Sequence, residues 1–99
     1  MSKLQPGQFE RIAKALADPR RFALLEMIAS GKECPVARLC RIFPVTKATI
    51  SHHIKELAQA GLIDTEKEGQ FSHCAVRSGV LEAYSEELLR RMGKAPITA

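Results

Sequence analysis

Residues 46–57 read Thr46-Lys47-Ala48-Thr49-Ile50-Ser51-His52-His53-Ile54-Lys55-Glu56-Leu57, and Ala58-Gln59-Ala60-Gly61-Leu62-Ile63 follow directly. At roughly 100° per residue, Ile54, Leu57 and Gly61 fall within about 40° of Ile50, so a helix here has one narrow apolar stripe. Opposite that stripe lie Ala48, His52, Lys55 and Gln59, with Ser51 on one flank and Thr49 and Glu56 on the other. These are short donors and acceptors plus one lysine. A face of that kind enters a DNA major groove and reaches base edges without steric conflict. His53 falls beside the apolar stripe and is expected to be a packed, hydrogen-bonded residue, whereas His52 points away from it. Adjacent helix positions diverge by about 100°, so the two histidines do not form a metal-ligand pair.

Upstream, Thr46 is a suitable N-cap because its hydroxyl can satisfy a free amide at the helix start. Pro44 pushes Phe43 towards an extended conformation, so Phe43-Pro44-Val45 cannot continue a preceding helix. The gap matches the turn of a helix-turn-helix. Its first helix is expected to open at Glu33-Cys34-Pro35, with Pro35 in the first turn and Val36, Leu39, Cys40 and Phe43 inward. Before it, Asp18 is a natural N-cap and Pro19 a natural first residue for a helix reaching about Ser30. Phe22, Leu25, Ile28 and Ala29 are its expected inward face, and Gly31 a left-handed stop. Phe9, Ile12, Ala13, Leu16 and Ala17 mark a first amphipathic helix, and residues 1–7 are expected to be a disordered lead.

Downstream, Leu62 to Glu68 and Phe71 to Val76 are extended runs joined at Gly69-Gln70, a β-hairpin pattern. Val80, Leu81, Tyr84, Leu88 and Met92 define a last helix from Ser78 or Gly79 to about Met92, with a tail from residue 93 to 99 expected to be flexible. The predicted fold is therefore mainly α with a small β-hairpin. It is a winged helix-turn-helix over residues 8–92 with an additional helix at each end. Terminal helices that are apolar on more than one side suit a two-fold homodimer, and two reading helices about one DNA turn apart multiply affinity and specificity.

Bulk composition agrees with a small DNA-binding domain. Ninety-nine residues suffice for one modest core. The net charge is +4, but residues 1–62 carry +5 and residues 63–99 carry −1, so the basic excess lies in the half holding the reading helix. The chain has no run of about eighteen apolar residues and no apolar leader, which leads us to expect a cytoplasmic protein without a membrane span. Paired carboxylates, a glycine-rich phosphate loop and a Ser/His/Asp set are all absent, so an enzyme is not expected and no cofactor is implied. The competing reading is a winged-helix protein-interaction module that does not bind DNA.

Taken together, Ala15-Leu16-Ala17-Asp18-Pro19-Arg20-Arg21, the Ser-His-His core of residues 46–57, and Ala60-Gly61-Leu62-Ile63 leading to a wing with Gly69 at its tip resemble the ArsR/SmtB family of small bacterial winged-helix repressors. The resemblance runs from about Phe9 to Met92. It implies a homodimer built on the first and last helices, double-stranded DNA carrying an imperfect inverted-repeat operator as partner, and repression relieved by an inducer. It also implies that Lys47, Ala48, Ser51 and His52 face bases and nearby phosphates, while Lys67 and Gln70 on the wing follow the adjacent backbone or minor groove. Thr46, Thr49 and Lys55 complete the expected DNA-binding set.

Two features depart from the family pattern. The wing reads Glu66-Lys67-Glu68-Gly69-Gln70, so its attraction to phosphates is expected to be small. Arg20, Arg21, Arg38 and Arg41 are then further candidates for phosphate contact. The family's Cys-Val-Cys metal pattern is also missing from Cys34-Pro35-Val36-Ala37-Arg38-Leu39-Cys40, and the last helix lacks the zinc-sensing ligand sets, so no metal site is expected. Cys34, His73 and Cys74 would be the least unsuitable ligands. Cys34, read as lying at a helix N-terminus where the dipole favours thiolate, is instead a candidate thiol sensor, with Cys74 as a second.

Overall fold

The computed structural model describes residues 3–94. In order, the elements are α1 (Gln8–Leu16), α2 (Pro19–Ala29), β1 (Cys34–Pro35), α3 (Val36–Ile42), α4 (Lys47–Gln59), β2 (Ile63–Glu68), β3 (Phe71–Val76) and α5 (Ser78–Arg91). The strands form one antiparallel sheet in the order β1-β3-β2. Helices α3 and α4 are the helix-turn-helix, β2 and β3 the wing, and α1 and α5 the additional terminal helices.

Local chemistry sets the element boundaries. Asp18 accepts from the backbone amides of Arg20 at 2.9 Å and Arg21 at 3.0 Å, with Pro19 opening α2 behind it. Those amides, Arg21's first, hold the Asp18 carboxyl below its usual range. Thr46 Oγ1 accepts from Thr49 N at 3.2 Å and caps α4. Glu68 pairs with Phe71 across a two-residue turn in which Gly69 sits at φ 60°, a left-handed conformation typical of tight hairpins. The fully buried side chains Ile12, Leu24, Ile28, Leu39, Ile50 and Leu57 come from every helix except α5, and Leu62 follows α4 directly, so the reading helix is packed on the centre of the domain.

Several expectations need correction. Cys34 and Pro35 do not open the third helix. They form β1, pairing Cys34 with Cys74 and Pro35 with His73, and α3 starts at Val36. The sheet therefore has three strands, because β3 takes a partner on its second edge. In α2, Phe22 is 42% exposed and Ala29 is exposed, while Leu24 is buried. Phe22 lies about 120° around the helix from Ile28, and Arg21 takes the inward position. On α1, Ala15 is buried and Ala17 exposed. Gly31 is not left-handed; α2 ends at Ser30, whose amide and hydroxyl both donate to Met27 O.

The expected disordered lead also differs. Leu4 packs against the core, and Gln5 and Gln8 close a turn, so the order begins ahead of α1. Met1 and Ser2 lie outside the described residues. At the other end, Lys94 N donates to Leu89 O at 2.8 Å around Gly93 at φ 71°, a left-handed helix stop. The rest of the expected tail, residues 95–99, lies outside the described residues.

Candidate nucleic-acid interface

Helix α4 is divided along its length. Ile50, His53 and Leu57 are buried, while Lys47, Ala48, Ser51, His52 and Lys55 are exposed, with Thr46 exposed at the cap. Thr49 is half-buried, and its hydroxyl is 3.0 Å from that of Thr46. Both threonine hydroxyls are thus engaged in closing the helix start, while Lys47, Ser51, His52, Lys55 and Gln59 are exposed polar side chains of this face.

Beside that face runs an open groove of about 560 Å³ between α4 and the wing. Lys47, Ser51, Lys55 and Gln59 line it from the helix, and Thr65 and Ser72 from β2 and β3, over an apolar floor. Two lysines and four neutral polar side chains around a shallow channel suit a sugar-phosphate strand, since ammonium groups neutralise phosphates while hydroxyls and amides position the backbone. Gln59, Thr65 and Ser72 were absent from the expected binding set. The legible signal was Gln59's place opposite the apolar stripe; the two wing residues needed the hairpin's orientation. Lys67 and Gln70 are exposed near the wing tip but do not line this groove. Among the candidate arginines, Arg20, Arg38 and Arg41 are exposed, whereas Arg21 is turned inward.

Arg21 is inward because it serves the reading helix. Its Nε donates to His53 Nδ1 at 3.4 Å, and its guanidinium lies 4.0 Å from Asp18. His53 is 7% exposed, as expected for a packed residue. The bond requires a lone pair on Nδ1, hence a neutral ring. Burial is the main influence lowering the His53 pKa; Asp18 opposes it, and Arg21, His52 and Arg20 add to it. The folded form therefore binds this proton less readily than the unfolded chain does. The stability it protects is complete above the unfolded value near 6.5 and is lost as pH falls through the lower folded value. We expect urea stability to drop between pH 7 and 5, by at most about 1.4 kcal/mol per pH unit from this one proton. His53→Gln should flatten that slope, and an unchanged slope would remove His53 as its source.

The thiols reverse their expected character. Cys34 and Cys74 are 2% and 1% exposed and sit opposite each other on β1 and β3. Burial pushes the Cys34 thiol up, and burial, with Cys34 as neighbour, pushes Cys74 up to about 11. Cys34 is therefore not a thiolate at a helix N-terminus: Pro35 is the N-cap of α3, and the thiol one residue earlier points into the core. Adjacent strand residues face opposite sides, so His73 points away from the face that Cys34 and Cys74 share. Among the described residues no group of three or more His, Cys, Asp or Glu is set to hold a metal ion.

Helices α1 and α5 pack against each other. Phe9 and Tyr84 have ring centroids 5.0 Å apart, and the Arg91 guanidinium lies 3.9 Å from the Phe9 ring centre. Arg91 also donates to Glu10 at 3.1 Å and, with Arg90, to Glu87. Those bonds, Arg90's first, hold the Glu87 carboxyl down at about 2. Leu88 on α5 and Met92 at its C-cap remain exposed, at 40% and 62%.

A family profile described as a helix-turn-helix domain matches residues 16–66. The arsenical resistance operon repressor of Bacillus subtilis is 40% identical over 67 residues, 67% of this chain and 63% of that repressor. A crystal structure of an ArsR family transcriptional regulator superposes with a TM-score of 0.81 at 30% identity, over 94% of each chain. The chain belongs to the ArsR family. This is a family of transcriptional regulators, not of enzymes. The solution structure of a homodimeric winged helix-turn-helix DNA-binding domain from Mycobacterium bovis has the same fold as this ArsR-family chain. Its TM-score is 0.70 at 23% identity, over 94% of this chain and 90% of that one. In this chain, α4 and the wing are the elements that flank the groove. No helix among the described residues is long and apolar enough to cross a membrane.

Proposed function

We propose that this ArsR-family chain is a homodimeric, cytoplasmic repressor that binds an imperfect inverted repeat in double-stranded DNA and is released from it by an inducer. The observation that carries the reading is the lengthwise division of α4, whose exposed Ser51, His52 and Lys55 adjoin a groove with Lys47 and Lys55 on its rim. In this reading Ser51 and His52 contact base edges, and Ala48 gives a thymine methyl room to approach. Lys47 and Lys55 neutralise phosphates of the strand lying in the groove, with Gln59, Thr65 and Ser72 positioning it. Thr46 and Thr49 shape the helix start, and Lys67 and Gln70 reach the neighbouring backbone from the wing. Exposed Leu88 on α5 and Met92 at its C-cap supply apolar area for a partner copy, in line with the homodimeric state of the Mycobacterium bovis domain. The thiol reading of the release signal survives only as the opposed pair Cys34 and Cys74, since neither is an exposed thiolate.

Selection from random duplexes with the purified protein tests the proposal. Two half-sites related by a two-fold axis, spaced by about one helical turn of 10–10.5 base pairs, are the expected outcome. Recovery of no shared sequence at moderate salt would overturn it and favour a protein-interaction module.

A further inference from the structure

Gln8, the first residue of α1, makes a hydrogen bond that spans 52 positions of the chain: its Nε2 donates to Ala60 O at 3.0 Å. Its Oε1 accepts from Gln5 N at 2.8 Å, so the amide is held from both ends. Ala60 is the C-cap of α4, and the last carbonyls of a helix have no partner within it. The contact is close. At Gly61, which sits at φ +80°, an added Cβ would lie 2.6 Å from Gln8 Nε2. The next two residues of α1 engage α5 instead: Phe9 stacks on Tyr84 beneath Arg91, and Glu10 accepts from Arg91. One turn of α1 therefore grips the end of the reading helix with one side chain and the terminal helix with the next two.

We propose that Gln8 is a positioning residue that sets the angle of α4 against the terminal helices, and thereby the separation of the two reading helices across the operator. The proposal rests on the dimeric DNA-binding reading above. Its mechanical basis is leverage. Ala60 is at one end of α4 and the base-facing residues Lys47, Ala48 and Ser51 are towards the other. Thirteen residues at about 1.5 Å each make a lever of roughly 20 Å. A tilt of about 5° at the Gln8 end displaces the far end by nearly 2 Å, enough to break hydrogen bonds to base edges. The apolar stripe of α4 resists withdrawal from the core but gives less directional control than a hydrogen bond. Among the described residues, the side-chain hydrogen bonds tying α4 to another element are this one and the longer Arg21–His53 contact.

The test uses the full chain and the duplex selected by the unaltered protein, together with duplexes whose half-site spacing is changed by one or two base pairs. Gln8→Glu keeps the shape and the acceptor for Gln5 N but removes the donor to Ala60 O. Gln8→Met is a neutral second variant without the donor, and Gln8→Lys restores a donor. The expected result for Glu and Met is about five- to tenfold weaker binding at the original spacing, with a smaller penalty for altered spacing. Lys should recover the spacing preference. Dimer mass and the dependence of binding on salt should not change, because no phosphate contact is lost. A uniform loss at every spacing would show a merely structural role and overturn the proposal, as would an unchanged spacing profile. Absence of any spacing preference in the unaltered protein would instead overturn the dimeric reading on which the proposal rests.

Discussion

Replacing Ser51 and His52 together by alanine is expected to lower affinity for the selected duplex by about a thousandfold while leaving the protein folded. Each base contact contributes roughly 1–3 kcal/mol of discrimination. Four such side chains are lost in a dimer, and at the low end of that range they sum to about 4 kcal/mol, or three decades in Kd. Both residues are exposed and neither forms part of the core, so the change in stability should stay within about 0.5 kcal/mol. A mobility shift at moderate salt reads the first effect and a urea titration the second. Undiminished binding to the selected duplex, set against random duplex, would mean that this face does not read sequence.

Ile50→Ala is the complementary experiment on the adjoining residue. Ile50 is 0% exposed and sits among the fully buried side chains of the core. Truncating such a residue removes its transfer free energy and leaves a cavity, at a cost of about 2–5 kcal/mol. For a small domain whose whole stability is on the order of 5–15 kcal/mol, that is a large share. The urea midpoint should fall substantially with little change in slope, and binding should weaken only in proportion to the unfolded fraction. A cost below about 1 kcal/mol would show that the apolar stripe of α4 does not anchor it. Together the two variants separate the helix's two faces, one acting on recognition and the other on stability.

Much of the architecture was legible because its causes are local. Asp18-Pro19 and Thr46 announce helix starts through side-chain oxygens that reach amides two or three residues away, and Gly69-Gln70 announces a hairpin through one left-handed residue. The split of α4 follows from its period alone, and His53 fell on the buried flank as its wheel position required. Two of the misread positions depend on distant partners. Phe22 looked like core by composition, but Arg21 took the inward place because His53, 32 residues away, offers it an acceptor. Cys34 looked like a helix-terminal thiolate, yet pairing with Cys74 drew it into a strand and buried it. Burial raised the thiol pKa where a helix dipole would have lowered it.

The amino-acid order by itself determined which segments are helical, where the turn and wing lie, and which side of the reading helix is polar, because helix period, capping and turn chemistry act over a few residues. Only the tertiary structure decided that β3 has a second neighbour, that the wing places Thr65 and Ser72 beside α4, and that Gln8 holds the carbonyl of Ala60. The first joins Cys34 to Cys74, 40 positions apart, the last spans 52 positions, and the wing contact depends on how the hairpin folds back on α4. Their stabilisation appears only after the core has closed and brought the partners within hydrogen-bonding reach, so no local pattern announces them.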